Sequence, residues 1–290
     1  MIWQLAVIAT GFLSGLAQVV GKRQVGEMSA FQSGLMRDLM TWVIVIWIFV
    51  KEGNFSFGWP AAVIVGVGVL ESISIAAYFS ALRSGMAATA VFSYPLSQLL
   101  IVLFAAMLFG EWTYFDLQTT RGMVNIFALV LTSILMIVYG GKGKIQKFKW
   151  STALFVSAVI TALGNIQSKW AVSTLGYSAA TAMFWEYLGI VLGGAVFVYG
   201  RGQNLKLGWK SWGWGIVQGI LFGVSALWYI TLLKTSPLGI SSLMRRVTIV
   251  LVTLLVAFLG YREDKKMNAK QGFSLILAIV IFVLVMSVNK

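Results

Sequence analysis

The chain has 290 residues, of which 59% are hydrophobic and only 11% are charged. A soluble domain carries about 25% charged residues, so this composition excludes an ordinary soluble globular protein and indicates an integral membrane protein. The absence of cysteine and histidine excludes disulfides, thiol chemistry, a histidine proton relay and most metal sites. A net charge of +13 would suggest a nucleic-acid partner in a soluble chain. Here the basic residues stand singly at the ends of apolar segments, so we expect no nucleic acid and a lipid bilayer around the chain.

Ten continuous apolar segments follow one another along the chain. Each is close to the roughly 20 residues that a helix needs to cross a hydrocarbon core of about 30 Å. Continuous runs favour helices over a β-barrel, because barrel strands alternate apolar and polar residues. We therefore predict an all-α integral membrane protein with ten transmembrane helices and no separate soluble domain. The predicted spans are residues 2–21, 31–50, 60–82, 86–109, 119–140, 151–171, 176–199, 211–233, 237–259 and 270–288.

The second half of the chain repeats features of the first half at an offset of about 150 residues. Residues 18–22 align with residues 165–169, and residues 78–84 align with residues 229–235. Each copy holds five spans, so the second copy must enter the membrane in the opposite orientation, as in many secondary transporters. We predict one membrane domain made of two inverted five-helix repeats. These repeats are residues 1–145 and residues 146–290.

Lysine and arginine residues are concentrated in alternate loops of this layout. Residues 142–149, between spans 5 and 6, contain four lysines, whereas the loops on the other side carry few basic residues. Basic loops face the cytoplasm, so we expect a multi-pass protein of the inner or plasma membrane with both termini extracytoplasmic. Lys22 and Lys169 end spans 1 and 6, where we expect their long side chains to snorkel toward the headgroups.

Six ionisable residues lie within the predicted spans. An ionised side chain inside a bilayer costs a few kcal/mol or more, so such residues normally face the bundle interior, where they pair or line a path. Four of them are about nine to eleven residues into their spans, which places them near the middle of the bilayer at about 1.5 Å per residue. We predict that these four share one cavity. The deep residues are Glu71, Glu186, Arg245 and Arg246, and the shallower two are Arg37 and Asp38.

The repeat alignment places polar or helix-breaking residues at equivalent positions of the two copies. Arg37 falls on Glu186, and Tyr94 with Pro95 falls on Arg245 with Arg246. We expect these faces to meet at a pseudo-twofold axis. With Gln98 nearby, the chamber would then have one cationic wall and one aromatic and polar wall.

The arginines of span 9 are the predicted anchors of a solute. Our hypothesis is that they hold an anionic or zwitterionic group, and that a glutamate neutralises them when the site is empty. Such a carboxyl group could couple transport to protons, because its charge would depend on occupancy. The alternative is a structural Arg–Glu lock between helices, and for Arg37 and Asp38 a structural role is favoured. The predicted substrate-binding residues are Arg245, Arg246, Glu186, Glu71, Tyr94 and Gln98.

Three segments of the first copy, together with the five-plus-five layout, resemble the EamA-type branch of the drug/metabolite transporter superfamily. They are Tyr78-Phe-Ser-Ala-Leu-Arg-Ser-Gly85, Tyr94-Pro-Leu96 and Leu108-Phe-Gly-Glu111-Trp112. The second copy departs from the family pattern, since Arg245 and Arg246 replace an apolar or proline-containing stretch. The resemblance implies ten helices in two inverted halves around a cavity walled by spans 3, 4, 8 and 9. It also implies secondary transport or export of small metabolites without ATP, in a family often drawn with cytoplasmic termini.

Other functional classes stay open to different degrees. A flippase for a lipid-linked carrier would use the same helices and differ by a lateral opening between spans. An enzyme is disfavoured because loop carboxylates such as Glu111 are scattered at the interfaces, with no nucleophile and base spaced to cooperate. A channel would require a continuous polar stripe. The sequence predicts no catalytic residue, cofactor or metal, and it leaves the solute, the transport direction and the choice between monomer and homodimer open.

Overall fold

The computed structural model describes residues 2–52, 56–84, 86–140, 148–205, 208–258 and 269–289. Side chains are described for these residues except 84, 86–95, 136–140, 148–154, 257, 258 and 269–271. This part of the chain forms ten α-helices and no β-strand. The helices are α1 (Ile2–Glu27), α2 (Ala30–Glu52), α3 (Trp59–Ser84), α4 (Met86–Phe109), α5 (Thr120–Gly140), α6 (Phe148–Ser173), α7 (Ala179–Gly200), α8 (Trp209–Leu233), α9 (Leu238–Phe258) and α10 (Ala269–Val288).

Every predicted span coincides with one of these helices, which confirms the all-helical prediction for the described residues. Among the residues whose side chains are described, six helices are long and apolar enough to cross a membrane, as expected of a multi-pass membrane protein. They are α1, α2, α3, α7, α8 and α9. The largest difference from the prediction is at the end of α1, which continues to Glu27 rather than ending at residue 21. Its last turns hold buried polar side chains such as Gln24, so apolarity alone does not mark where this helix ends.

The helices pack into one bundle with long mutual contacts. Helix α1 packs against α8 and α9, α3 against α6 and α7, α2 against α7 and α8, α4 against α6 and α9, and α5 against α10. Gly21 of α1 lies against Gln218 of α8, and Ser14 bonds to Ser225 further along. The two helices are therefore antiparallel, and their C-termini lie at opposite ends of the bundle.

Glycine stripes let helix backbones approach one another, as is common in membrane bundles. In α8, Gly215, Gly219 and Gly223 face α2, and a Cβ at Gly219 would lie 2.9 Å from the Arg37 carbonyl oxygen. At the contact between α3 and α7, a Cβ on Gly68 would lie 3.1 Å from the Glu186 carbonyl carbon. The backbone of α3 therefore touches that of α7 at the level of Glu186.

The connection between α4 and α5 fixes the start of α9. Gly110 has a φ of +68°, a conformation that glycine adopts without a Cβ penalty, and a short 3₁₀ helix follows at Glu111–Phe115. The carboxylate of Glu111 accepts hydrogen bonds from the backbone N–H groups of Leu238 at 2.6 Å and Gly239 at 2.7 Å. Glu111 is therefore a buried cap on a helix N-terminus rather than an interfacial loop carboxylate.

Candidate functional site

An internal cavity of about 170 Å³ lies at mid-helix level among α1, α2, α3, α4, α6, α7, α8 and α9. Glu71, Glu186, Arg245 and Arg246 all line it, as the depth argument expected. Arg37 lines it as well, although the sequence favoured a structural role for this residue. The structure therefore brings together five buried or part-buried ionisable side chains from four helices.

Glu71 of α3 and Glu186 of α7, which we call the glutamate pair, lie beside each other at the close contact between α3 and α7, and both line the cavity. The Glu71 carboxyl lies against Gly164 of α6, where no side chain intervenes. One turn further along α6, the Ser168 hydroxyl donates to Glu186 Oε2 at 3.1 Å. Two carboxylates beside each other repel when both are ionised, so this arrangement favours one proton on the pair.

Arg37 and Asp38 of α2 stand beside the glutamate pair. Arg37 Nε donates to Asp38 Oδ1 at 2.7 Å, and its Nη2 lies 2.6 Å from the same oxygen. The guanidinium also lies over the ring of Phe222, at 4.3 Å from the ring centroid. Asp38 therefore neutralises Arg37 directly, and the two form a compact ion pair at this end of the cavity.

Arg245 and Arg246 of α9, which we call the arginine pair, are held by serine hydroxyls. Arg245 Nη2 donates to Ser14 Oγ at 2.9 Å and to Ser225 Oγ at 3.2 Å, and its guanidinium lies 4.3 Å from the ring centroid of Tyr229. Arg246 Nη1 donates to Ser97 Oγ at 2.6 Å, and its Nε donates to Ser242 Oγ at 3.1 Å. Hydroxyl groups orient a guanidinium without cancelling its charge.

The glutamate pair and the arginine pair face the same cavity without a direct bond. Within the described part of the chain, no salt bridge joins Glu71 or Glu186 to Arg245 or Arg246. An ion pair that the described residues do show inside the bundle joins Arg37 to Asp38, its neighbour on α2.

The two remaining predicted site residues have different outcomes. Gln98 of α4 does not line the cavity: its Nε2 donates to the Gly239 carbonyl oxygen at 3.0 Å, and its Oε1 accepts from the Ser242 hydroxyl at 2.7 Å. Ser242, which also accepts from Arg246 Nε, links Gln98 to the arginine pair. Tyr94 lies in the backbone of α4, but its side chain is outside the described residues.

Serine hydroxyls are the part of the site that the sequence did not single out. Ser14, Ser97, Ser168, Ser225 and Ser242 all bond to the charged side chains of the cavity. Isolated serines are common in membrane helices, so their presence in the sequence does not indicate a site. Their depth in the spans could have identified them, because they lie at the level of the charged residues on neighbouring helices.

Lys22 and Lys169 do not snorkel as expected. Lys22 Nζ donates to the carbonyl oxygens of Leu82 at 2.8 Å and Arg83 at 2.9 Å, at the C-terminus of α3. Lys169 Nζ donates to those of Leu233 at 2.7 Å and Ser236 at 2.8 Å, at the C-terminus of α8. A cation is favourable at a helix C-terminus, where carbonyl groups lack partners.

No family model and no curated protein matches this chain. Its fold, however, is shared with 28 chains of solved structures. One of them, a crystal structure described only as that of a protein, is 18% identical, with 96% of this chain and 98% of that chain covered and a TM-score of 0.68. The likeness establishes a common fold over nearly the whole length.

Proposed function

We propose that this protein is a secondary active transporter that moves a small organic metabolite across the cell membrane by alternating access. The observation that carries the proposal is the mid-bundle cavity, because five charged side chains that are costly to keep in lipid converge on it. A purely structural network would gain nothing from leaving a hollow between its members. The resemblance to the EamA-type branch of the drug/metabolite transporter superfamily supports the same function.

We also propose that the chain crosses the membrane ten times as two inverted repeats, residues 1–145 and 146–290. Equivalent contacts recur between equivalent helices, which supports this arrangement. Ser14 of α1 bonds to Ser225 of α8 at 2.7 Å. Their counterparts in the other copy, Thr161 of α6 and Ser74 of α3, bond at 3.1 Å. The α1–α8 contact is thus reproduced by the α6–α3 contact.

The two lysines support the inversion in the same way. Lys22 and Lys169 occupy aligned positions, and each holds the C-terminus of the third helix of its own copy. Because α1 and α8 are antiparallel, these two sites lie at opposite ends of the bundle. An inverted repeat would place one of them at each membrane face. We propose the face of Lys22 as the cytoplasmic one and both termini as extracytoplasmic, following the distribution of basic loops.

The solute that suits this cavity is small and carries an anionic or zwitterionic group. The arginine pair offers forked N–H donors that match a carboxylate or phosphate, and the glutamate pair supplies an acidic counterpart. Tyr229, Phe222 and Ile230 add apolar surface for an organic body.

A binding screen followed by a flux assay tests the proposal. Purified protein is heated in the presence of monocarboxylates, amino acids, phosphorylated sugars, nucleosides, neutral sugars and organic cations, and compounds that raise the unfolding temperature are loaded into proteoliposomes. We expect saturable flux of at least one stabilising compound. Arg245→Gln should abolish both effects, whereas Lys51→Gln, which removes an exposed cation stacked on Trp47, should change neither.

Two results would contradict the proposal. One is stabilisation by compounds that never cross the membrane with the protein present. The other is translocation of a fluorescent lipid in place of any soluble compound, which would identify a flippase.

A further inference from the structure

Resting on the transport function proposed above, we propose that the cavity binds a small organic monoanion at the arginine pair together with one proton shared by the glutamate pair. The two would travel in the same direction, one proton for each anion. The inference depends on the geometry of the two pairs and on the sum of the charges around them.

The first step is the proton. Glu71 and Glu186 are held against each other by the tight contact between α3 and α7, and both rest on the same face of α6 through Gly164 and Ser168. Like charges at this separation disfavour ionisation of both groups. The pair is therefore a site for a single exchangeable proton.

The second step is the set of neighbours that act on this proton. Arg37 is engaged by Asp38 at 2.6 Å, so the nearest cation is already compensated. The other cations of the cavity wall are the arginine pair, held by hydroxyls on the α9 side. Within the described residues, the charged and titratable groups around the glutamate pair are Arg37 and Asp38 on α2, Tyr78 on α3, Tyr187 on α7, Tyr229 on α8, and Arg245 and Arg246 on α9.

The third step is the charge balance. Among the described residues, three arginines and two glutamates line the cavity, and Asp38 pairs with one of these arginines, Arg37, so with every group ionised the formal charges cancel. One proton on the glutamate pair leaves a net charge of +1, and one monoanion restores neutrality. The empty deprotonated cavity and the fully loaded cavity are thus both neutral, whereas a cavity with only the proton or only the anion is charged. An uncompensated charge in a low-dielectric interior is unfavourable, so proton and anion favour each other's binding.

The fourth step is the class of anion. A carboxylate fits the forked donors of a guanidinium, and the serine hydroxyls that bond to the arginine pair orient it without adding a negative charge. The cavity, of about 170 Å³, suits a small molecule. A dianion would overcompensate the single net charge, and a zwitterion would leave it uncompensated.

The shared proton can be tested without any ligand. Infrared spectra of the protein in lipid at neutral pH should show the carbonyl stretch of one protonated carboxylic acid. Glu71→Gln and Glu186→Gln should each remove this band, because neither leaves two carboxyl groups to share a proton. Glu27→Gln, at an exposed residue paired with Lys210, should keep it. A wild-type spectrum without the band, or a band that survives both pair variants, would overturn the proposal.

The coupled anion can be tested with benzoate, which is a monoanion with an apolar body, and with benzamide as its uncharged analogue. Benzoate and not benzamide should stabilise the wild-type protein, and its affinity should fall about tenfold per pH unit once the glutamate pair loses its proton, the slope for one linked proton. Glu71→Gln leaves Glu186 as the single carboxyl of the pair, and over the pH range in which Glu186 is ionised the net charge stays at +1 without a shared proton. Across that range the variant should bind benzoate with a flat pH profile.

The outcomes separate this inference from the transport function. The inference fails where acetate, lactate and benzoate all leave the protein unstabilised, where benzamide acts as well as benzoate, or where Glu71→Gln keeps the pH slope. If the protein moves an organic cation or a neutral sugar in proteoliposomes, the transport function stands and the proposed coupling is rejected. Absence of flux for every stabilising compound would instead reject the transport function itself.

Discussion

The glutamate pair and the arginine pair face each other across one cavity, and their ionisable groups are held by different kinds of partner. The two glutamates lie beside each other, so on our proposal the charge of the pair depends on a shared proton. Each arginine is held by two serine hydroxyls, which carry no charge and leave the guanidinium positive. The comparison teaches that one wall of the cavity has a fixed charge and the other a variable one.

The backbone contact behind the glutamate pair is the feature whose disruption should have the largest effect. In Gly68→Ala, the new methyl group would meet the Glu186 carbonyl, and a helix backbone cannot rotate away from it as a side chain can. We expect a loss of about 1–3 kcal/mol of stability, as for overpacked cores, and a lower unfolding temperature in detergent.

Gly66→Ala is the matched control for this prediction. It lies in the same helix, and nothing stands within 4 Å of its would-be Cβ. Replacing a glycine inside a helix by alanine should raise the free energy of unfolding by about 0.5–1 kcal/mol. Equal destabilisation by both substitutions would show that α3 is sensitive throughout, and that its contact with α7 is not special.

Removing one hydroxyl from the arginine wall should have the next largest effect. Ser14→Ala deletes one acceptor of Arg245 Nη2, which keeps Ser225 as a second acceptor, so we expect the loss to lie near the lower end of the about 1.5–3 kcal/mol that hydrogen bonds to charged groups contribute. We expect lower stability together with weaker binding of whichever solute the screen identifies. Thermal unfolding and a binding isotherm on the same preparation measure both.

Ser74→Ala sharpens the comparison, because Ser74 occupies the equivalent place in the other copy and bonds to Ser157 and Thr161 rather than to an arginine. Its loss should cost only about 0.5–1.5 kcal/mol, the range for neutral hydrogen bonds. Similar effects of the two variants on solute binding would argue that Ser14 acts as a packing residue and not as a support for Arg245.

Much of this architecture follows from local features of the sequence. Apolar length fixes the helices, because a bilayer imposes the same requirement on every span. Depth along each span placed Glu71, Glu186, Arg245 and Arg246 at one level, and the structure shows all four lining one cavity. Which of them bond to each other depends on how far each helix is rotated about its axis, and a single sequence does not encode that directly.

The residues whose roles were predicted wrongly from the sequence show the same limit, because their partners come from distant parts of the chain. Whether Lys22 snorkels or caps a helix depends on which helix ends beside it, here α3. Whether Glu111 is a loop carboxylate or a cap depends on the approach of α9 from the other half of the chain. Both are long-range contacts, and composition and periodicity describe only the local chain.

The two lysines give the smallest expected change in stability and the most direct test of the inverted halves. Lys22→Met and Lys169→Met each remove a cation from a helix C-terminus, an interaction of about 0.3–1 kcal/mol. If the two sites restrain α3 and α8 at opposite membrane faces, each loss favours opening toward its own face.

The chain has no cysteine, so Ala226→Cys in the cavity wall gives a single thiol whose labelling reports access to the cavity. In proteoliposomes of known orientation, an impermeant maleimide should label it faster from one side in Lys22→Met and faster from the other side in Lys169→Met. Faster labelling from the same side in both variants would mean that the lysines do not act as opposed restraints, and the comparison between the two halves would then rest on the serine contacts alone.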